Sequence, residues 1–462
     1  MSAIHEDRIQ VLCDDDVHPE GKYVFYWMQQ SQRAQDNHAL EYAVERAQEL
    51  GQSVLVGFGL MDDYPEANLR HYVFMLEGLQ DVSETLAKRD IKFVLRRGHP
   101  AEVALELGRE ASLIVCDRGY LRYPRRWRDQ VADGAGRRVV RVESDLVVPV
   151  EVASDKREFA ARTIRKKIMT QFEDFLDLPD AGRPPKSSLP LHVTGEDLSD
   201  PPALARSMNL PQDVPPVSHL FVGGQTAAKA TFRHFMDELF TEYTDHRNQP
   251  QTDDVSHMSK YLHFGMISPV WLVREVRRSR SRENVESYVE EVMVRRELAA
   301  NFCYHTPNYD RYDCLPDWAR KTLAEHRDDA REYVYTRAQL EAAETHDAYW
   351  NAATREMVHT GYMHNYMRMY WGKKILEWSN TPEYAYETTL YLNNKYFLDG
   401  RDFNSFSNVA WVFGNHDRPW TERPVFGKTR YMNAKGLERK TKPKAYVEKV
   451  NALVEQGKRY GA

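Results

Sequence analysis

"YVFYWMQQSQRAQDNHALEYAVERAQELGQSVLVGFGL", residues 23–60, decides the fold of the first third of the chain. Its ends, 23–27 and 53–60, are runs of β-branched and aromatic residues, the composition of strands buried on both faces. Between them "NHALEYAVERAQELG" repeats apolar residues at helical spacing, with Asp36 or Asn37 placed to cap its first turn and Gly51 to close it. Strand, helix, strand in that order is a βαβ unit, whose two strands run parallel. The pattern continues through "IKFVLRRG" (91–98), "LIVCD" (113–117) and "RVVRVESDLVV" (138–148). The expected fold is therefore a Rossmann-like α/β domain with a parallel sheet covered by helices. After the first strand, "YWMQQSQRAQDN" (26–37) holds neither GxGxxG nor GxxxxGK[ST], which argues against a dinucleotide or P-loop site there.

From Pro179 the chain turns Pro-rich and loses periodicity, "PDAGRPPKSSLPLHVTGEDLSDPPALARSMNLPQDVPP", so 179–222 reads as an extended linker. It leaves 1–178 as the α/β domain and 223–462 as a larger all-α domain, dense in Trp and Tyr. With 462 residues, 42% hydrophobic and 29% charged, the chain can bury substantial cores. Four scattered cysteines, Cys13, Cys116, Cys303 and Cys314, lack framework or metal-ligand spacing, which fits a reducing compartment without a metal site. The N-terminus is acidic and polar rather than basic then apolar, and no run of about 18 apolar residues suits a membrane span. A cytoplasmic, monomeric protein is expected.

A net charge of −6 excludes a uniformly basic nucleic-acid binder, but charge is local. "RPVFGKTRYMNAKGLERKTKPKAYVEK" (423–449) sets cations among aromatics, as phosphate and base contacts require; "RRSRSR" (277–282) and "RYPRRWR" (122–128) are further basic clusters that solvated faces would equally explain. On a helix, "MHNYMRMYWGKKILEW" (363–378) places His364, Arg368, Trp371, Ile375 and Trp378 on one stripe. A core seam with a snorkelling arginine fits that spacing. A buried guanidinium, however, requires a partner, and "LDGRDFNSFSN" (398–408) offers Asp399.

With "YLNNKYFLDGRDFN" (391–404), "VAWVFGNHDRPW" (409–420), "FGKTRYMNAKGLERK" (426–440), "YLHFGMISP" (261–269), "VMVRREL" (292–298) and "YWMQQSQRAQDNHAL" (26–40), the chain resembles the photolyase/cryptochrome family. Within it, the likeness is to the class II cyclobutane pyrimidine dimer photolyases, over residues 21–445. That resemblance implies a folded FAD in the α domain, whose photoexcited reduced form passes an electron to a thymine dimer flipped out of UV-damaged DNA. It implies Arg368 and Asp399 beside the flavin ring, where fixed charge stabilises the reduced state, with Asn393 facing N5 and Asn365 near the adenine. Val255, Ser256, His257, Met258 and Ser259 resemble the diphosphate loop. Lys260 stands there for a usual proline and brings a cation able to reach phosphate. Tyr243, Arg247, Arg296 and Arg401 complete the implied cofactor set.

The same resemblance makes Glu291 the hydrogen-bonding partner of the dimer, in an apolar pocket that would raise its pKa. Met369 and Trp411 become the walls around the flipped bases. Trp350, Trp371 and Trp378 are similar to the class II electron relay; Val409 occupies the position from which the class I relay starts. Arg430 and Tyr431 resemble the loop that fills the gap in the duplex, and Lys428, Arg439 and Lys440 would bind phosphates. A deazaflavin antenna chromophore is the expected second cofactor, with no residues assigned to it. A cryptochrome-like flavin photoreceptor without repair activity is the alternative inside the family. Outside it stands an adenine-nucleotide-binding or electron-transfer α/β protein.

Overall fold

A computed structural model describes residues 3–458. Six strands form one sheet: β1 (Ile9–Cys13), β2 (Tyr23–Trp27), β3 (Ser53–Leu60), β4 (Lys92–Arg97), β5 (Ala111–Asp117) and β6 (Val139–Val142), in the order β1-β6-β5-β2-β3-β4. Strands β2 to β6 pair in parallel, as the βαβ reading predicts. β1 was not anticipated: it joins the edge antiparallel to β6, and its five residues, three half-buried and two exposed, give only a short apolar signal. All residues of β2 and β3 are buried. Asn37 caps the helix His38–Leu50 by accepting from the N–H groups of Ala39 and Leu40, while Asp36 sits outside it at φ 55°.

The run at 138–148 is strand only to Val142; Glu143 to Val148 leave the sheet and stay buried. Val147, Val148, Ile164, Ile168 and Phe172 share one core with Leu262, Val270 and Met293, so the tail of the sequence-assigned first domain is built into the helical part. The Pro-rich segment is not structureless throughout. Glu196 donates its N–H to Leu95 of β4 (2.7 Å), and the short helix Pro201–Arg206 packs on the helix Leu69–Ala87.

In the helical part, the helices Ala348–Thr360, Asn365–Trp378, Pro382–Tyr396 and Phe403–Val412 surround the largest core. Two glycines bring the chemistry-bearing turns together. Gly361 ends the first of these helices at φ 68°, a conformation glycine adopts without strain, and its carbonyl accepts from the N–H of Leu398 (2.9 Å). At Gly400 a Cβ would meet the Asn393 carbonyl at 2.8 Å, so only glycine lets the 398–402 turn lie this close to the preceding helix. His364 is the N-cap of Asn365–Trp378 and accepts from Tyr366; the helical stripe therefore starts at Arg368.

Candidate cofactor and substrate cavity

A cavity of about 470 Å³ opens between these helices and the loop 255–259, within the usual range for small-molecule sites. On its wall Arg368 grips Asp399 with two hydrogen bonds, 2.9 and 3.1 Å. A third, from Nε to the Met363 carbonyl, and the Phe397 ring 3.9 Å away fix the guanidinium. Burial pushes the Asp399 carboxyl up, but Arg368, Ser259 and Lys260 outweigh burial and hold it below the ordinary carboxylate range. Asn393 faces the same space, its amide donating to Asn394 and Ser405.

Val255, Ser256, His257, Met258 and Ser259 all line the cavity. The backbone N–H groups of Ser256 to Ser259 have no acceptor among the described residues, and successive free N–H groups suit an anion. His257 lies at φ 56°, a strained region for a residue with a Cβ. Its surroundings hold it there: Asp253 meets Nε2 at 3.2 Å and the Tyr362 ring lies 4.7 Å away. Lys260 does not reach towards phosphate as the sequence suggests. It is buried, donates to the His257 carbonyl (3.1 Å) and sits 3.7 Å from the Phe221 ring centroid. It thus staples from behind the loop that lacks a proline, and burial pushes its pKa down to about 7.

Tyr243, Arg247 and Glu291 stand together on the cavity wall. Arg247 bonds Glu291 at 2.5 Å and Ser287 Oγ at 2.7 Å. The apolar pocket expected around Glu291 is therefore corrected: its neighbour is a guanidinium and 37% of its side chain is exposed. Arg296 lines the cavity from below while bonding the Asp145 carbonyl and lying 3.3 Å from the Asp145 carboxylate. Asn365, Met369, Trp411 and Arg430 also line it. Trp371 lines it too and stacks on Trp350 (6.3 Å, 8°); Trp350 meets Trp378 edge-on at 5.6 Å. The order is thus 371, 350, 378, with Trp350 between the two tryptophans that share a helix.

The whole chain is similar to known proteins. A DNA photolyase family model matches residues 24–186. A deoxyribodipyrimidine photo-lyase of Methanothermobacter thermautotrophicus is 45% identical over 98% of this chain and 100% of its own length. The chain belongs to the DNA photolyase family. The rice enzyme of the same name is 39% identical, covering 98% of this chain and 92% of its own. Among solved structures, a class III photolyase from Agrobacterium tumefaciens has the same fold at TM-score 0.71 and 19% identity, covering 93% of this chain and 86% of that one. An archaeal photolyase from Sulfolobus tokodaii, solved with two FAD molecules, aligns at TM-score 0.68 and 14% identity over 92% and 89%.

In this photolyase-family chain Arg401 departs from the site expected of it. It is buried, hydrogen-bonded to His71 (3.0 Å) and to the Asn394 carbonyl, and it lines a second cavity of about 120 Å³ rather than the first. That cavity lies between the ends of the sheet strands and the helical part, walled by Tyr64, Tyr120, Trp127 and Phe264. Of the remaining basic-segment residues, Lys428 is exposed 3.9 Å from Glu422, Tyr431 packs edge-on against Phe426, and Arg439 and Lys440 are exposed at the end of the helix Ala434–Lys440. None of these four lines the cavity. Sequence reading missed Trp420, which is 43% exposed with the guanidinium groups of Arg418 and Arg430 over its ring at 5.7 and 5.5 Å. An aromatic between two arginines in "DRPW…KTR" was the available signal. It also missed Asp145, because the residue that partners Arg296 lies some 150 positions away. Among the described residues no helix is long and apolar enough to cross a membrane, and no group of three or more His, Cys, Asp and Glu could hold a metal ion.

Proposed function

We propose that this protein is a class II photolyase that splits cyclobutane pyrimidine dimers in DNA under light, with reduced FAD held in the larger cavity. One observation carries the reading: a single cavity joins the Arg368–Asp399 pair and Asn393 to a run of free backbone N–H groups and to a mouth formed by Glu291, Met369 and Trp411. Bound reduced FAD supplies light-driven electron donation to the dimer. The residues do the rest. Ser256 to Ser259, with their unpaired N–H groups, would hold the diphosphate, and Asn365 would stand on the adenine side. Arg368 and Asp399, a bidentate pair on the cavity wall, would set fixed charge beside the flavin ring, and Asn393 would complete that wall.

Glu291 has a guanidinium on one oxygen. It therefore offers an accepting oxygen to a base N–H, while Arg247 offers donors to base carbonyls; this differs from a lone carboxyl that both donates and accepts. Trp411 and Met369 pack the flipped bases. The Trp371–Trp350–Trp378 series gives electrons a stepwise route to the cavity, and it runs along the helices Asn365–Trp378 and Ala348–Thr360 without using residue 409, which supports the class II assignment. For a deazaflavin antenna, the second cavity is the candidate seat by its aromatic walls. At about 120 Å³ it falls short of the roughly 300 Å³ that small-molecule sites begin at, so occupancy requires side chains such as Met61 or Tyr64 to move; mass analysis of chromophores released from purified protein tests this.

The deciding experiment is repair of a dimer-containing oligonucleotide, lit against dark, by flavin-loaded protein. Light-dependent repair is expected; flavin binding without repair would leave the photoreceptor reading instead. In a second arm, Trp350→Phe and Trp371→Phe are each expected to block photoreduction of oxidised flavin and to spare repair once the flavin is reduced chemically. Photoreduction unchanged in both variants would remove the relay.

A further inference from the structure

Residues 154–170 carry none of the cofactor or substrate roles assigned above; none of them lines the cavity, yet they hold residues packed on its Trp411 wall. Arg165 holds Glu290 through hydrogen bonds of 2.6 and 2.9 Å, and Arg295 takes the same carboxylate at 2.9 Å while lying 5.4 Å over the Trp411 ring. The Phe159 carbonyl meets His416 Nδ1 at 3.0 Å, and the His416 ring lies 6.0 Å from that of Trp411. Arg157 binds Asn415 at 2.9 Å. The segment is therefore anchored to the Trp411 wall through Glu290–Arg295 and His416.

What it shows to solvent is basic and aromatic. Lys156, Arg162 and Lys166 are exposed and form no ion pair among the described residues. Phe159 is 56% exposed, the most of any large hydrophobic residue described, and the Arg162 guanidinium lies 5.6 Å over its ring. Nearby acids are already engaged: Glu290 by Arg165 and Arg295, and Glu158, buried, by Lys167 at 2.6 Å. Asp155 is the one exposed carboxylate between 154 and 170. The same combination, an exposed ring under arginines, recurs at Trp420 with Arg418 and Arg430, in a different segment of the chain.

We propose that Lys156, Arg162 and Lys166 bind backbone phosphates of the duplex beside the lesion, with Phe159 against a sugar or base edge, so that DNA is gripped from two separate segments at the cavity mouth. The proposal rests on DNA being the substrate. A flipped base leaves a duplex free to pivot if it is held at one segment only; cations on a second segment fix its direction and release further counterions. Each phosphate contact contributes about 0.9 to the slope of log K against log salt.

The test uses full-length, flavin-loaded protein, labelled duplexes with and without one thymine dimer, and sodium chloride from about 50 to 200 mM. The triple variant Lys156→Ala, Arg162→Ala, Lys166→Ala is expected to weaken binding of both duplexes about 10-fold or more at the lowest salt and to flatten the slope by about 2 to 3, with flavin content and photoreduction unchanged. Phe159→Ala is expected to weaken binding about 5-fold at an unchanged slope. If the triple variant keeps the wild-type affinity and slope while the wild type still prefers the damaged duplex, the second grip falls and the repair reading stands. If the wild type binds neither duplex, both fall.

Discussion

Two loops of this molecule present a run of backbone N–H groups, and they treat them oppositely. After β2, the N–H groups of Gln29, Gln30 and Ser31 all point to one carboxylate oxygen of Asp117, at 3.0, 2.8 and 2.7 Å. Asp117 is fully buried at the end of β5, with Arg128 on its other oxygen. In the loop 255–259 the N–H groups of Ser256 to Ser259 have no acceptor among the described residues and their side chains face the larger cavity. An internal anion fills the first nest; the second has none. The sheet domain thus satisfies internally the place where many α/β folds bind phosphate, and the cavity proposed for the cofactor sits in the helical part.

The contrast can be broken most strongly at Asp117. Asp117→Ala orphans three N–H groups and the buried Arg128, and removing one partner of a buried pair costs about 3–5 kcal/mol; denaturant unfolding should show a loss of that size, and less for Asp117→Asn. Next comes Arg368→Ala, which leaves Asp399 unpaired on the cavity wall. Losing a charge-assisted hydrogen-bonded pair of about 1.5–3 kcal/mol should weaken flavin retention about 10- to 150-fold, measured by release of flavin fluorescence. Glu291→Ala should keep the flavin and lower repair by about 10-fold, the effect of one or two such contacts at the mouth; full yield would remove Glu291 from the reaction.

The smallest effect sharpens the comparison at Lys260, the staple behind the open loop. Its folded pKa is lowered to about 7 from 10.5, so between those values the unfolded chain binds a proton that the folded one does not. Stability contributed by this group is therefore highest at high pH and falls as pH drops towards 7, at up to about 1.4 kcal/mol per pH unit. Lys373, buried and lowered in the same way, adds a parallel slope. Lys260→Met should remove one of the two slopes in unfolding measured from pH 7 to 9. An unchanged slope would show that Lys260 stays protonated in the fold.

Much of this was legible in the chain. The βαβ order gave the parallel sheet because strands buried on both faces must be apolar throughout, and the Arg368 stripe demanded a carboxylate that Asp399 supplies. What escaped reading had a common cause. β1 is a five-residue edge strand, only half-buried on its inner side; Glu291 meets Arg247 from 44 residues away; Trp350 enters between Trp371 and Trp378 from another helix; Arg401 turns to His71, 330 positions earlier. Periodicity reports which face of an element is buried and is silent on what lies across from it.

The sequence by itself determined the two kinds of domain, the residue types of the cavity and the family, since each is written in local pattern and motif order. Only the tertiary structure decided which loop keeps its N–H groups open, in what order the tryptophans stand and which surface carries unpaired cations. Those depend on partners that hundreds of intervening residues bring into contact, and a hydrogen bond or an ion pair exists only when both of its ends arrive.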